Sequence, residues 1–277
     1  MFSVAMPIYN HAKFVKQAVW SALRCPLVHE VLLLDDGSTD GSAAIASALA
    51  AAHPDRVRNV TPREGGNRGA HGRLNELVEL AECEWIAVLN SDDLFVDGRF
   101  EAILADSEFP HCDLVFGNVL FMNERGTVVG SKRGPVDVRV LSGQPSLAPG
   151  SWTGTRLLDL LSQENYLIST SNMVFRKTLH ARIGGFAAYR YVHDWDFALR
   201  AMSLGRPRHV QRFLTAYRKH SHNTILEDQQ RSLRETTEMF ERFLTDFPEV
   251  HKRPGFDIGQ KFSQHAPSSV FCRPRPY

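Results

Sequence analysis

The chain has 277 residues, 43% of them hydrophobic, enough to bury one large core or two intimately joined halves. Its 32 basic and 31 acidic residues leave a formal net charge of +1, which removes the electrostatic reason to expect nucleic acid as a partner. Four cysteines (Cys25, Cys83, Cys112 and Cys272) stand far apart with no CxxC pair, excluding a disulfide framework or zinc ribbon and fitting buried thiols in a reducing cytosol.

In chain order, residues 2–6 read as a strand and 7–10 as a loop. MFSVAMPIYN lacks the basic lead and long apolar core of a signal peptide. Residues 11–24 place Phe14, Val15, Ala18, Val19, Ala22 and Leu23 on one helical face. The run at 30–36, EVLLLDD, is an apolar, partly β-branched stretch bounded by polar residues, the pattern of a buried parallel strand. GSTDGS follows, with Asp40 placed to cap the Ala-rich helix beyond it. That helix holds the longest apolar stretch, residues 43–52, far too short to span a bilayer. A short strand at 57–60, a Gly-rich turn at 61–72, a helix at 74–81 and a second buried strand at 85–89 complete the alternation. Strand-helix alternation predicts a parallel, doubly wound α/β sheet.

The second half is less regular. Strands are expected at 112–118 and 120–123, a turn at Gly126-Thr127, and a long loop over 132–154, where Pro and Gly recur. Helices are expected at 156–163, at 177–183 with Gly184 as the stop, at 194–204 and at 229–247, and residues 171–175 read as extended.

Both apolar runs of the first half end in paired aspartates, Asp35-Asp36 and Asp92-Asp93. Ligands of open α/β sheets collect at the carboxyl ends of strands. Two acidic pairs at one edge suit a hard divalent cation, together with a polyhydroxylated or nitrogenous ligand. Helix capping accounts for Asp40 but not for these pairs.

Seven strings in order resemble the family 2 glycosyltransferases with the GT-A fold. They are MPIYN at 6–10, DDGSTDGS at 35–42, NRGAHGRLNEL at 67–77, EWIAVLNSDD at 84–93, IGGF at 183–186, HDWDFALR at 193–200 and YRKH at 217–220. The resemblance implies an inverting enzyme that uses a nucleotide sugar. It assigns Pro7, Tyr9 and Asp36 to base and ribose, with the Gly-rich turn and Asn67 near the nucleotide and Arg73 near base or phosphate. The family often has Ala-Arg-Asn here, where this chain has Arg-Leu-Asn. Asp92 and Asp93 fall on the DxD-type motif, which here opens with Asn90. Asp93 is then the expected ligand of Mn²⁺ or Mg²⁺, with Asp92 toward the ribose or a metal-bound water. In HDWDF, where the family usually has Glu-Asp, Asp194 matches the catalytic base. Its neighbours His193, Trp195 and Asp196 are assigned to the acceptor, and Tyr189, Tyr191 and Trp152 are candidate sugar platforms. YRKHSHN assigns Arg218 to phosphate and His220 to metal or phosphate, leaving His222 on the opposite face of an extended segment.

The reading that follows is a GT-A enzyme with a nucleotide-sugar half at 1–95, an acceptor and catalytic half at 96–222, and a C-terminal helix with a basic tail at 223–277. The donor is a nucleoside diphosphate sugar, UDP first, and the acceptor a saccharide or lipid-linked glycan. The expected location is cytoplasmic. The tail carries Lys252, Arg253, Lys261, Arg273 and Arg275 against Asp257 alone, a composition suited to the inner face of an anionic membrane. Two rivals stand beside this reading. One is a sugar-nucleotide binder without catalysis, suggested by Asn90 and His193. The other is a nucleotidyltransferase, which should carry a Gly-rich basic loop where this chain has PIYNHAKF.

Overall fold

The computed structural model describes residues 1–62, 66–137, 154–221, 223–224 and 227–251. Strand β1 (Phe2–Ile8) lies between β2 (Val28–Asp35) and β4 (Trp85–Val88), and β3 (Val57–Asn59) extends β2, all in parallel. These are the apolar runs read from the sequence. Their side chains project to both faces, so both need cover. On one face α1 (Val15–Leu23) and α2 (Ser42–Ala52) enclose Val4, Met6, Val31 and Leu33. On the other, α3 (Gly69–Leu80) packs Leu74, Leu77 and Val78 toward Ala5, Leu32 and Leu34.

Beyond β4 the sheet becomes mixed. Strand β8 (Val174–Arg176) runs antiparallel between β4 and β6 (Leu114–Met122), and β9 (Pro207–Arg218) lies parallel to β6. Strand β5 (Leu94–Phe95) closes that edge antiparallel to β9, while β7 (Val128–Lys132) pairs antiparallel with β6. The order is β3-β2-β1-β4-β8-β6-β9-β5. The fold class expected from the sequence is therefore present, with antiparallel strands in its second half.

Several boundaries differ from the sequence reading, each for a tertiary reason. Strand β6 replaces the two expected strands, and its register against β9 shifts around Asn118. A Cβ on Gly117 would sit 2.4 Å from Leu214 Cγ, so only glycine lets β9 cross so closely. Strand β9 lies outside the sequence expectation, because Gln211 and Arg212, both exposed, interrupt its apolar pattern. Helix α3 starts at Gly69 rather than at Leu74, because the distant Asp36 carboxylate accepts the Arg68 and Gly69 N–H groups at 2.8 and 2.9 Å. Residues Thr170–Asn172 form a 3₁₀ turn instead of extended chain, closed by Ser169 Oγ accepting the Ser171 N–H.

The remaining helices are α4 (Arg99–Leu104), α5 (Gly154–Leu161), α6 (Lys177–Ile183), α7 (His193–Leu204), α8 (Gln229–Asp246) and a short α9 (Pro248–His251). Helix α8 braces the start of α7: Glu235 accepts the Tyr191 N–H at 2.8 Å, and Phe240 meets the Trp195 ring edge-on at 5.3 Å. No helix among the described residues is long and apolar enough to cross a membrane. Most of the expected 132–154 loop, Trp152, His222 and nearly all of the basic tail lie outside the described residues.

Two buried histidines make stability depend on pH. Burial, reinforced by Arg200 and Lys177, holds His180 down to about 4, and burial with Arg208 does the same to His209. A folded-state value below the unfolded one of about 6.5 means the stabilisation is complete above 6.5 and is lost as pH falls toward 4. Each shift is worth on the order of 3 kcal/mol. The thermal midpoint should therefore drop between pH 6.5 and 4. His180→Phe should remove part of that slope, since Asn75 Oδ1 keeps the Phe186 N–H at 2.8 Å. A midpoint flat across that range would contradict this assignment.

Candidate active site

The turn after β4 carries the second acidic pair. Asn90 is pinned from both sides: its Nδ2 donates to Ser169 Oγ at 3.0 Å and its Oδ1 accepts from Thr170 Oγ1 at 2.9 Å. Asp93 is fully buried. One of its oxygens accepts from Ser171 Oγ at 2.6 Å and Ser169 Oγ at 3.1 Å, and the other accepts the Arg218 N–H at 2.9 Å. Burial, then the adjacent Asp92 charge, push its carboxyl well above the ordinary range. Asp92 goes the other way, because the hydrogen bond from His220 and the neighbouring His11 and His220 together outweigh burial. Its Oδ2 accepts from His220 Nε2 at 3.0 Å, and its Oδ1 lies 3.9 Å from His11 Nδ1.

The structure places the two members of the pair differently. Asp93, the expected metal ligand, is enclosed in the turn, with both carboxylate oxygens accepting hydrogen bonds. Asp92 is the carboxylate that meets nitrogen donors, and the ligand atoms of His11, Asp92 and His220 all lie within 4.8 Å of one another. An oxygen-and-imidazole donor set of this kind fits a divalent cation. His11 was missed by motif reading, since nothing in PIYNHAKF marks it apart from its place just past the end of β1.

Arg218, expected at the phosphate, lies behind the acidic turn. It is 1% exposed, and its guanidinium donates to Asp92 O at 2.7 Å, Glu124 O at 3.0 Å and Gln17 Oε1 at 3.0 Å, with Phe14 stacked 4.7 Å away. These bonds tie the acidic turn to the Glu124 carbonyl and to α1.

At the end of β2 the first pair divides its work as well. Asp36 accepts the Arg68 and Gly69 N–H groups and Arg73 Nε, the last at 2.7 Å. Arg73 is buried and donates further to Glu76 at 2.9 Å and Gly66 O at 2.8 Å, so it is neither a solvated helix-start charge nor open to a ligand. Asp35 Oδ1 accepts the Gly37 and Ser38 N–H groups, while its buried Oδ2 has no partner among the described residues. Beside it run half-buried Pro7 and exposed Tyr9, joined to this edge by the Asp36 N–H donating to Ile8 O at 2.8 Å. Asn67 is exposed on the adjoining turn.

Asp194 occupies the first turn of α7 without serving as its cap, a place held by Val192. It is half-buried, accepting from Asn165 Nδ2 at 3.0 Å and from the Trp195 N–H at 2.8 Å. Burial pushes its carboxyl up; His193 and these donors offset part of the rise. His193 is half-buried beside it, its Nδ1 without a partner among the described residues. The other two residues assigned to the acceptor point into the protein. Trp195 is 4% exposed and donates to Leu161 O at 2.8 Å, and Asp196 is buried in an ion pair with Arg200. Tyr189 and Tyr191 are half-buried against the core.

Comparison with known proteins bears out the resemblance. A glycosyltransferase of PGL/p-HBAD biosynthesis from Mycobacterium bovis is 27% identical over 221 residues, covering 77% of this chain and 73% of that protein. Matches to two further curated relatives cover only 38% and 32% of their lengths. Among solved structures, TarS of S. aureus in complex with UDP-GlcNAc has a TM-score of 0.63 at 17% identity, covering 94% of this chain and 74% of that one. The mannosyltransferase PcManGT of Pyrobaculum calidifontis, in complex with GDP-Man and Mn²⁺, has a TM-score of 0.61 at 20% identity, covering 90% and 68%. These two share the fold. Residues 3–197 match the family described as Glycosyl transferase family 2, and with more than half the chain inside that match, the protein belongs to it.

Proposed function

We propose that the protein transfers a sugar from a nucleoside diphosphate sugar, UDP in the first instance, to an acceptor hydroxyl with inversion at the anomeric carbon. The observation that carries this reading is the segment 165–171. Asn165 at one end holds Asp194, and Ser169 and Ser171 at the other hold Asp93 beside Asp92. One short stretch thus ties a carboxylate raised toward proton acceptance to a carboxylate poised for charge neutralisation. TarS and PcManGT, with the same fold, are known in complex with UDP-GlcNAc and GDP-Man, which supports a nucleoside diphosphate sugar as the donor class.

In this reading the unpartnered Asp35 Oδ2 accepts from the base or ribose, with Pro7, Tyr9 and Asn67 alongside. Asp36 and Arg73 shape that loop from behind. Asp92 and His220 would hold Mn²⁺ or Mg²⁺, which supplies charge neutralisation to the departing diphosphate. Asp194 takes the proton of the attacking hydroxyl. A carboxylate suffices because that hydroxyl becomes acidic as its bond to the anomeric carbon forms, and the raised Asp194 value strengthens it as a base. His193 borders the acceptor. A saccharide or lipid-linked glycan is the acceptor class, supported by a relative named for succinoglycan biosynthesis and 35% identical over 114 residues.

The test is a screen of UDP-, GDP- and dTDP-sugars against saccharide and lipid-linked acceptors, read by mass. A new species heavier by one sugar is expected. Donor binding with no turnover across the panel would favour the sugar-nucleotide binder instead. The base role has its own signature. Asn165→Ala removes a donor that favours the charged Asp194, so the acid limb of the rate profile should move to higher pH. An unmoved limb would detach Asp194 from the proton transfer.

A further inference from the structure

We infer that His11 is a third protein ligand of the cation site, and that the site therefore takes a first-row transition ion in preference to Mg²⁺. The inference rests on the glycosyl-transfer reading only for the presence of a cation at Asp92 and His220.

The loop carrying His11 is fixed on three consecutive residues. Asn10 stands in the left-handed region at φ 54 with its Oδ1 accepting the Thr39 N–H at 2.8 Å. The His11 N–H donates to Ser42 Oγ at 2.9 Å and the Ala12 N–H to Asp40 Oδ2 at 2.9 Å. A non-glycine residue held at positive φ is a backbone cost that persists where surrounding contacts over-determine it. Here the result is an imidazole aimed at the acidic turn, its Nδ1 2.8 Å from Ser91 Oγ and 3.9 Å from Asp92 Oδ1. A cation bound at Nδ1 would take the ring lone pair in place of the Ser91 contact, with the ring proton on Nε2.

From the other side, the His220 N–H donates to Asn223 Oδ1 at 2.7 Å. Its ring packs 5.2 Å from Phe14 and meets His11 edge-on at 5.7 Å and 87°. Two donors each about 2.1 Å from one ion lie at most ~4.2 Å apart, so the separations here need only small side-chain rotations to close. An ion would replace the proton now shared between His220 and Asp92.

The donor set decides the metal. Mg²⁺ prefers oxygen ligands and surrenders its waters reluctantly. Two imidazole nitrogens with one carboxylate oxygen favour transition ions, with Co²⁺ above Mn²⁺ and both above Mg²⁺. A site built from carboxylates alone would not discriminate in this way.

The test uses the full chain with Mn²⁺, Co²⁺ and Mg²⁺, and neither donor nor acceptor present. Calorimetry should show Co²⁺ binding more tightly than Mn²⁺, and Mg²⁺ in about a hundredfold excess should leave Mn²⁺ bound. His11→Ala and His11→Gln should each weaken Mn²⁺ binding on the order of 10–100-fold. Pulsed electron paramagnetic resonance on Mn²⁺-loaded wild type should count two directly bound nitrogens, a readout that needs no variant to fold. One bound nitrogen, unchanged Mn²⁺ affinity in both variants, or displacement by equimolar Mg²⁺ would each overturn the inference. Failure of the sugar-transfer reading appears elsewhere, as absence of product, and leaves these ion titrations interpretable.

Discussion

Asp194→Asn should lower turnover by roughly 10²–10⁴ while donor affinity stays near that of the wild type. Asparagine keeps the shape and can still accept the Trp195 N–H, so α7 should form as before. What it loses is the ability to take a proton. In the wild type, activity should rise with pH as Asp194 ionises. Because burial raises its value, the acid limb should stand above the ordinary carboxylate value of about 4. In the variant that limb should vanish together with the rate. Near-normal turnover would leave Asp194 as a structural residue of the first helical turn.

The two members of the second acidic pair should respond differently to substitution. Asp92→Asn removes the carboxylate that faces His220 and His11 but keeps a side chain able to bond His220. Turnover should fall on the order of 10²–10³, the scale seen when one group stabilising developing charge is lost. The thermal midpoint should hardly move. Asp93→Ala instead strips partners from Ser169, Ser171 and the Arg218 N–H inside a buried turn. Each buried donor left unsatisfied costs about 1–3 kcal/mol, so loss of stability should accompany any loss of activity. Activity assays paired with thermal melts separate the two. A stable Asp93→Ala protein beside an unfolded Asp92→Asn protein would reverse the roles assigned here.

Why these roles were only partly legible in the sequence has a physical reason. Apolar runs ending in Asp35-Asp36 and Asp92-Asp93 locate strands and their carboxyl ends, because a strand buried on both faces has a local signature. Within each pair the choice of open and closed carboxylate depends on partners 32 to 125 residues away, Arg68 for Asp36 and Arg218 for Asp93. Periodicity carries no record of such contacts. The same holds for β9, whose polar middle becomes strand only because β6 lies beside it. It holds for Trp195 and Asp196 too, which share a helix start with Asp194 but turn inward to Leu161 and Arg200. His11 was invisible for the converse reason: it enters the site through a loop closure, not through a motif.

The most direct measurement of the central claim needs no knowledge of the acceptor. Wild-type protein with Mn²⁺ and α-linked UDP-sugars, followed by time-resolved proton NMR as water replaces the acceptor, reports which anomer of the free sugar forms first. UDP release is expected with the β-anomer appearing first, suppressed by chelator and nearly abolished in Asp194→Asn. The α-anomer appearing first, or equal rates in the wild type and Asp194→Asn, would contradict it.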